Sequence, residues 1–257
     1  MSPPAATIER NAGNRERSVV VMPTYNEREN LPDIVPAILK ASPELDVLVV
    51  DDNSPDGTGQ IADELVRSQT ARVRVMHRTR KEGLGPAYLA GFAEALALGY
   101  GRILQMDADF SHDPKRLPAL LAAVADADVA VGSRYVEGGG TVNWGLGRRL
   151  LSRGGSLYGR TILGLSLSDL TGAFRCYRRE VLESLDLESI TSTGYAFQIE
   201  LIYRVVRRGF RVREVPFTFV DRRAGKSKMS GAIIAEAVWK VWQIRLSPAT
   251  RGSLPRR

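Results

Sequence analysis

Residues 18–52 read SVVVMPTYNERENLPDIVPAILKASPELDVLVVDD. The stretch opens on a β-branched run, Ser18 to Met22, passes through a segment with helical apolar spacing, Glu27 to Ala41, and closes on a second run, Val47 to Val50. Two short apolar strands joined by one helix-length segment require a crossover connection, which makes the strands parallel. The unit then repeats. Val73 to Met76, Ile103 to Met106 and Val129 to Val131 are further strand-like runs, and Gly57 to Ser68, Gly85 to Leu98 and Pro114 to Ala125 have the lengths of the connecting helices. Five parallel strands flanked by helices predict an α/β sandwich of the nucleotide-binding kind. Asn26 and Glu29 have the spacing of a capping box for the first helix, and Asp56 or Thr58 is expected to open the second.

Composition agrees with one sizeable folded domain. Of 257 residues, 44% are hydrophobic and 25% charged, which excludes wholesale disorder and fibrous architectures. A single cysteine, Cys176, and two histidines exclude a disulfide framework and a Cys/His zinc site, and point to a reducing compartment. The excess of 36 Lys+Arg over 29 Asp+Glu leaves +7, compatible with nucleic acid, an anionic membrane or a phosphate-bearing substrate. No run approaches the ~20 apolar residues of a bilayer-spanning helix, so the chain is expected not to cross a membrane by itself. Residues 1–17 are polar and read as a disordered leader rather than a secretory signal.

After Ser133 the alternation stops. Gly138 to Gly140 lead into the basic run Arg148 to Arg153, read as a loop entering a helix on an acceptor-side subregion; strand-like segments return at Arg211 to Val220, followed by a basic loop, Asp221 to Lys228. From Ser230 to Leu246, Ile233, Ile234, Ala237, Val238, Val241, Trp242 and Ile244 share one wide apolar face opposite Glu236, Lys240 and Gln243. The expected organisation is thus a leader (1–17), a catalytic domain (18–228) with a nucleotide-binding half (18–133) and an acceptor-side half (134–228), an amphipathic helix (229–246) and a basic tail (247–257).

Ligands of an open parallel sheet gather at the carboxyl ends of its strands. Those ends are acidic here: Asp51-Asp52 after the second run and Asp107-Ala108-Asp109 after the fourth. Clustered carboxylates repel unless a cation intervenes, and two of them can hold Mg²⁺ or Mn²⁺ together with substrate phosphates. Neither a Gly-x-Gly-x-x-Gly turn nor a phosphate-loop lysine is present. Pro23 to Glu27 instead offers a tyrosine for stacking a base and a carboxylate for base or ribose, so the combination reads as a nucleotide-sugar site.

The segments PTYNERENL (23–31), VVDDNSPDGT (49–58), GLGPAYLAGF (83–92), MDADFSHDP (106–114), GSRY (132–135), DLTGAFR (169–175) and DRRAGKSK (221–228) carry a closer likeness. Together they resemble the GT-A glycosyltransferases of family 2, and within that family the branch that transfers mannose to polyprenyl (dolichyl-type) phosphates, in its form without transmembrane helices of its own. The resemblance spans residues 18 to about 246. It implies the GT-A (Rossmann-like) fold, with a mostly parallel sheet between helices, and transfer of mannose from GDP-mannose to a polyprenyl monophosphate with inversion.

Carried over residue by residue, the resemblance implies that Pro23, Tyr25 and Glu27 contact the guanosine and that Val50 and Asp52 line the base and ribose pocket. Asp107, Ala108 and Asp109 would meet ribose, diphosphate and metal, with Asp109 the direct ligand. Some relatives have Gln two positions after that aspartate; Ser111 stands there instead, a weaker ligand. Arg134, Arg222 and Lys228 would neutralise the diphosphate, while Arg148 and Ser152 would receive the acceptor phosphate. Asp109, Arg148 and Ser152 are the expected catalytic residues. His112, His77 and Cys176 read as structural; Trp239 and Trp242 suit either packing or a membrane interface. The expected partners are a membrane surface, met peripherally at its cytoplasmic face, and an integral membrane protein, with no nucleic acid. The competing readings are transfer from a UDP-sugar such as UDP-glucose and a non-catalytic nucleotide-binding scaffold.

Overall fold

A computed structural model describes residues 17–69, 71–221 and 231–247, the last of these with side chains from 238 onward. Its centre is a seven-stranded sheet in the order β3-β2-β1-β4-β7-β5-β8. The strands are β1 (Ser18–Thr24), β2 (Leu45–Asp51), β3 (Val73–His77), β4 (Arg102–Gln105), β5 (Val129–Ser133), β7 (Arg175–Arg178) and β8 (Val212–Pro216). A second, two-stranded parallel sheet joins β6 (Gly140–Val142) to β9 (Thr218–Val220). Alternate residues of the central strands face opposite cores: Val19, Val21, Leu48 and Val50 lie in one cluster, Val20, Met22, Val47 and Val49 in the other. That two-sided burial explains the unbroken apolar runs of the sequence.

Helices α1 (Leu31–Ala41), α2 (Thr58–Ser68) and α4 (Leu117–Ala123) contribute to the second cluster. The first gathers α3 (Leu84–Ala97), α5 (Leu146–Leu163), α6 (Arg179–Ser184), α7 (Gly194–Arg207) and α8 (Gly231–Leu246). Two expectations need correction at the helix starts. The first helix begins at Leu31, not Glu27, because Asn26 adopts a left-handed conformation (φ 60°) and residues 27–30 form a turn whose Glu27 carbonyl accepts from the amides of Asn30 and Leu31. The Asn26–Glu29 capping box therefore does not form. The second helix starts at Thr58 with Gly57 at the cap position, and the Asp56 carboxylate just before it accepts from the Thr58 amide at 3.0 Å and hydroxyl at 2.6 Å. The segment from Pro114 splits into a 3₁₀ turn, Pro114–Arg116, and α4.

The five expected strands share one direction, but they are not contiguous. Strand β7 inserts between β4 and β5, antiparallel to both. Its sequence, Arg-Cys-Tyr-Arg, hides it, since Arg175 is a fully buried arginine in a core strand. The guanidinium is accommodated by the carbonyls of Leu170 and Gln198, each at 2.9 Å. Helix α7 also escaped the sequence reading, although it supplies Phe197, Ile199, Leu201, Ile202 and Val205 to the core.

The C-terminal helix departs from one wide apolar face. It packs on α5 and α7 and buries Val241 and Ile244, while Val238, Trp239, Trp242 and Leu246 stay exposed. Trp239 is 64% exposed. The helix thus carries a second apolar strip directed at solvent. Among the described residues no helix is long and apolar enough to cross a membrane.

Candidate active site

The carboxyl ends of β1, β2 and β4 meet at one edge of the sheet, and the four aspartates found there have different duties. Asp51 is a buried brace: its carboxylate accepts from the Thr24 hydroxyl at 3.2 Å, the Ser54 amide at 3.1 Å and the Ser54 hydroxyl at 2.5 Å. Asp52 anchors the loop after β3, taking Arg78 Nη1 at 2.6 Å on one oxygen and the amides of Glu82 (3.1 Å) and Gly83 (2.9 Å) on the other. Both are spent on shaping loops.

Asp107 and Asp109 each take a neutral donor from a neighbouring element. The Tyr88 hydroxyl donates to Asp107 Oδ1 at 2.8 Å, and the Ser111 amide to Asp109 Oδ1 at 3.0 Å. Burial, reinforced by the Asp107 charge, pushes the Tyr88 phenol well above its ordinary range, so it keeps the proton it donates. Tyr88 is itself fixed, its ring lying parallel to Phe197 with centroids 6.2 Å apart. On the other side of the loop the His112 ring stacks on Phe174 (centroids 5.0 Å apart), and its Nδ1 accepts from the Asp107 amide at 3.3 Å. Burial drives the imidazole down despite the attraction of Asp107 and Asp109, leaving it neutral and structural. Phe110 between the two aspartates' loop and Ser111 adopts φ 60°, a conformation that bulky residues hold only when their surroundings impose it.

These groups fit a divalent cation. The Ser111 hydroxyl is buried with no hydrogen-bond partner, an orphaned oxygen beside two hard carboxylate donors. Among the described residues no three acidic, histidine or cysteine side chains form a complete cage. The set therefore suits an ion that draws its remaining ligands from a substrate's phosphates.

Of the remaining base-side residues, Tyr25 and Glu27 are half-buried at the same edge; the Glu27 amide donates to Thr58 Oγ1 at 3.0 Å, and its carboxylate accepts from Asn30 Nδ2 at 2.8 Å. Pro23 pairs with Val50 across β1 and β2. Val50 needs correction: its side chain is fully buried beneath α3, where a Cβ on Gly91 would come within 2.9 Å of it, so it lines the core rather than a pocket. Ala108 is buried as well.

Beyond β5 a cavity of about 360 Å³ is lined by Arg134, Tyr135, Gly140, Thr141, Leu146, Arg149, Leu150 and Arg153. Arg134 is gripped by Asp169 through Nε at 2.7 Å and Nη2 at 2.6 Å, and Nη2 also reaches Thr171 Oγ1 at 2.8 Å. Burial alone would raise the Asp169 carboxyl, but the Arg134 guanidinium overrides it and holds the group below its ordinary value. Arg148 and Ser152 stand apart from this lining. Arg148 pairs with Asp221 at 2.9 Å and lies 4.1 Å over the Trp144 ring, and Ser152 accepts from the Tyr135 hydroxyl at 2.6 Å. Arg222 and Lys228 lie outside the described residues. The sequence reading missed Tyr88, Arg78 and Asp169; Tyr88 and Asp169 left a signal by lying within the quoted GLGPAYLAGF and DLTGAFR segments, and Arg78 left none.

Residues 19–186 match the family model described as Glycosyl transferase family 2. The chain is 54% identical over 233 residues to a polyprenol monophosphomannose synthase of Mycolicibacterium smegmatis, covering 90% of this chain and 88% of that protein. It is 50% identical over 236 residues to an undecaprenyl-phosphate mannosyltransferase of Micrococcus luteus, covering 92% and 97% respectively. Among solved structures, glucosyl-3-phosphoglycerate synthase from Mycobacterium tuberculosis in complex with UDP superposes with a TM-score of 0.65 at 19% identity, over 96% of this chain and 87% of that one. The same synthase with Mn²⁺, UDP-glucose and phosphoglyceric acid gives 0.62 at 18%, over 100% and 87%.

The Arg134–Asp169 pair yields a first prediction. Asp169→Asn leaves the buried guanidinium without its counter-charge and should lower unfolding free energy by about 3 kcal/mol or more in urea denaturation. Because the Asp169 carboxyl sits below its ordinary value of 3.8, the pair's contribution is complete above that pH. The gap between wild type and variant should stay level above it and close as pH falls further.

Proposed function

The chain belongs to the family 2 glycosyl transferases, and from that membership we propose that it transfers mannose from GDP-mannose to a polyprenyl monophosphate, inverting the anomeric carbon to give polyprenyl β-D-mannosyl phosphate and GDP. The observation that carries this reading is the near-complete match to two proteins whose names join mannose to a polyprenol phosphate. The geometry suits it. The acceptor combines an anion with a hydrocarbon chain, and the cavity combines the guanidiniums of Arg134, Arg149 and Arg153 with Leu146 and Leu150, both exposed.

Tyr25 would stack the base at the β1 end, and Asp107 and Asp109, with the Ser111 hydroxyl, would hold Mg²⁺ or Mn²⁺. When bound, the ion offsets the negative charge that grows on the departing diphosphate. Tyr88 and His112 keep the aspartate loop in place for that contact. An oxygen of the acceptor phosphate attacks the mannose anomeric carbon from the face opposite the diphosphate, whose bond to that carbon breaks. A phosphate monoester is already largely dianionic at neutral pH, its second pKa being ~6, so the attack needs no general base. Planar guanidiniums grip phosphate oxygens in pairs; Arg148 joins them by exchanging Asp221 for the acceptor. Arg222 and Lys228 serve the diphosphate.

The acceptor lies in a bilayer, and the molecule meets it from outside. Helix α5 exposes Leu146, Leu150 and Leu157 together with Arg149, Arg153 and Arg160, and it packs against α8 with its exposed Val238, Trp239, Trp242 and Leu246. Apolar side chains among arginines suit the headgroup boundary of an anionic membrane. This face docks at the cytoplasmic surface.

Two measurements test the reading. Asp109→Ala should reduce transfer of radiolabelled mannose from GDP-mannose into polyprenyl phosphate by about a hundredfold or more, and undiminished transfer would remove Asp109 from the site. Trp239→Glu with Trp242→Glu should abolish flotation of the purified protein with vesicles containing phosphatidylglycerol; equal flotation would place the docking face elsewhere.

A further inference from the structure

The loop after β3, residues 78–83, reads RTRKEG and sits beside Tyr25 at the base end of the site. Its charges are unevenly matched. Arg78 binds both Asp52 and Glu82, and Arg80 binds Glu82 through Nε at 2.8 Å. Two arginines thus take up the loop's single acid. Lys81 forms no ion pair among the described residues, and its Nζ lies 3.5 Å above the centroid of the Tyr25 ring.

That height is a stacking distance, so a base laid on Tyr25 takes the place of the ammonium and meets it again at its edge, on a flexible four-carbon stem. The strand order decides which part of a nucleotide Lys81 meets. Tyr25, Asp52 and Lys81 belong to the ends of β1, β2 and β3, whereas Asp107 and Asp109 follow β4 on the far side of β1. With the diphosphate at the β4 end, the loop faces the base. Asp52 has both oxygens committed to Arg78 and to the amides of Glu82 and Gly83, so the donor edge of a guanine falls to other groups. An ammonium has donors only, and guanine presents O6 and N7 as acceptors where adenine presents an amino group at position 6.

We propose that Lys81 is a specificity-determining residue for the donor nucleotide, donating to the 6-oxo edge of a guanine stacked on Tyr25 and disfavouring a 6-amino purine. The proposal rests on the GDP-mannose reading above and deepens it. Lys81 is exposed and braces no buried group, so Lys81→Met keeps the fold. In calorimetric titrations of the full chain with GDP, ADP and UDP in the presence of Mg²⁺, the variant should bind GDP about tenfold more weakly and ADP within about twofold of wild type. Equal losses for GDP and ADP would place the ammonium on the diphosphate and overturn the proposal, as would unchanged GDP affinity. Wild-type protein binding UDP more tightly than GDP would instead overturn the donor reading on which the proposal rests.

Discussion

Four carboxylates at one edge of a parallel sheet repel one another, and the way that repulsion is relieved organises the rest of the site. Asp51 and Asp52 are buried and committed locally, the first to the hydroxyls and amide of Thr24 and Ser54, the second to the charge of Arg78 and two loop amides. Each bond also fixes a loop: one ties β1 to β2, the other folds residues 78–83 back over the base end. Asp107 and Asp109 are oriented in part by the Tyr88 hydroxyl and the Ser111 amide, donors that steer a carboxylate toward the sheet edge.

The same division of labour recurs on the acceptor side. Arg134 is held by Asp169 in a buried two-point grip, so its guanidinium is a rigid wall, while Arg149 and Arg153 project from an exposed turn of α5. Between donor and acceptor sides, His112, Phe174, Phe217, Phe219 and Trp144 form one run of touching rings, and the Val220 amide donates to the Ser111 carbonyl at 3.3 Å. The metal loop and the β6–β9 sheet therefore share packing.

Much of this was legible in the sequence because burial on both faces writes strands as unbroken valine and leucine runs, and because acids clustered at the ends of such runs mark the edge where loops converge, although Asp51 and Asp52 turn out to shape those loops. What was not legible depends on directions that one-dimensional spacing does not carry. Strand β7 was hidden by Arg175, whose charge is answered by carbonyls contributed from Leu170 and Gln198. Val50 lies two residues before Asp52, yet it is still within β2 and its side chain packs beneath α3, whereas Asp52 lies past the strand end where the chain turns into the loop. Tyr88 occupies a core position on a helix, and only folding brings its hydroxyl to Asp107. The C-terminal helix reads as one apolar face, whereas packing on α5 and α7 claims Val241 and Ile244 and leaves both tryptophans outside.

The central claim is that Asp107 and Asp109 form half of a cation site that the donor's diphosphate completes. Titration of Mn²⁺ into the protein, followed by its electron paramagnetic resonance signal with and without saturating GDP, tests it most directly. The account predicts weak binding to the protein alone, strong binding once GDP is present, and loss of that gain in Asp109→Ala. Equally tight Mn²⁺ binding without nucleotide, or no gain on adding GDP, would contradict it.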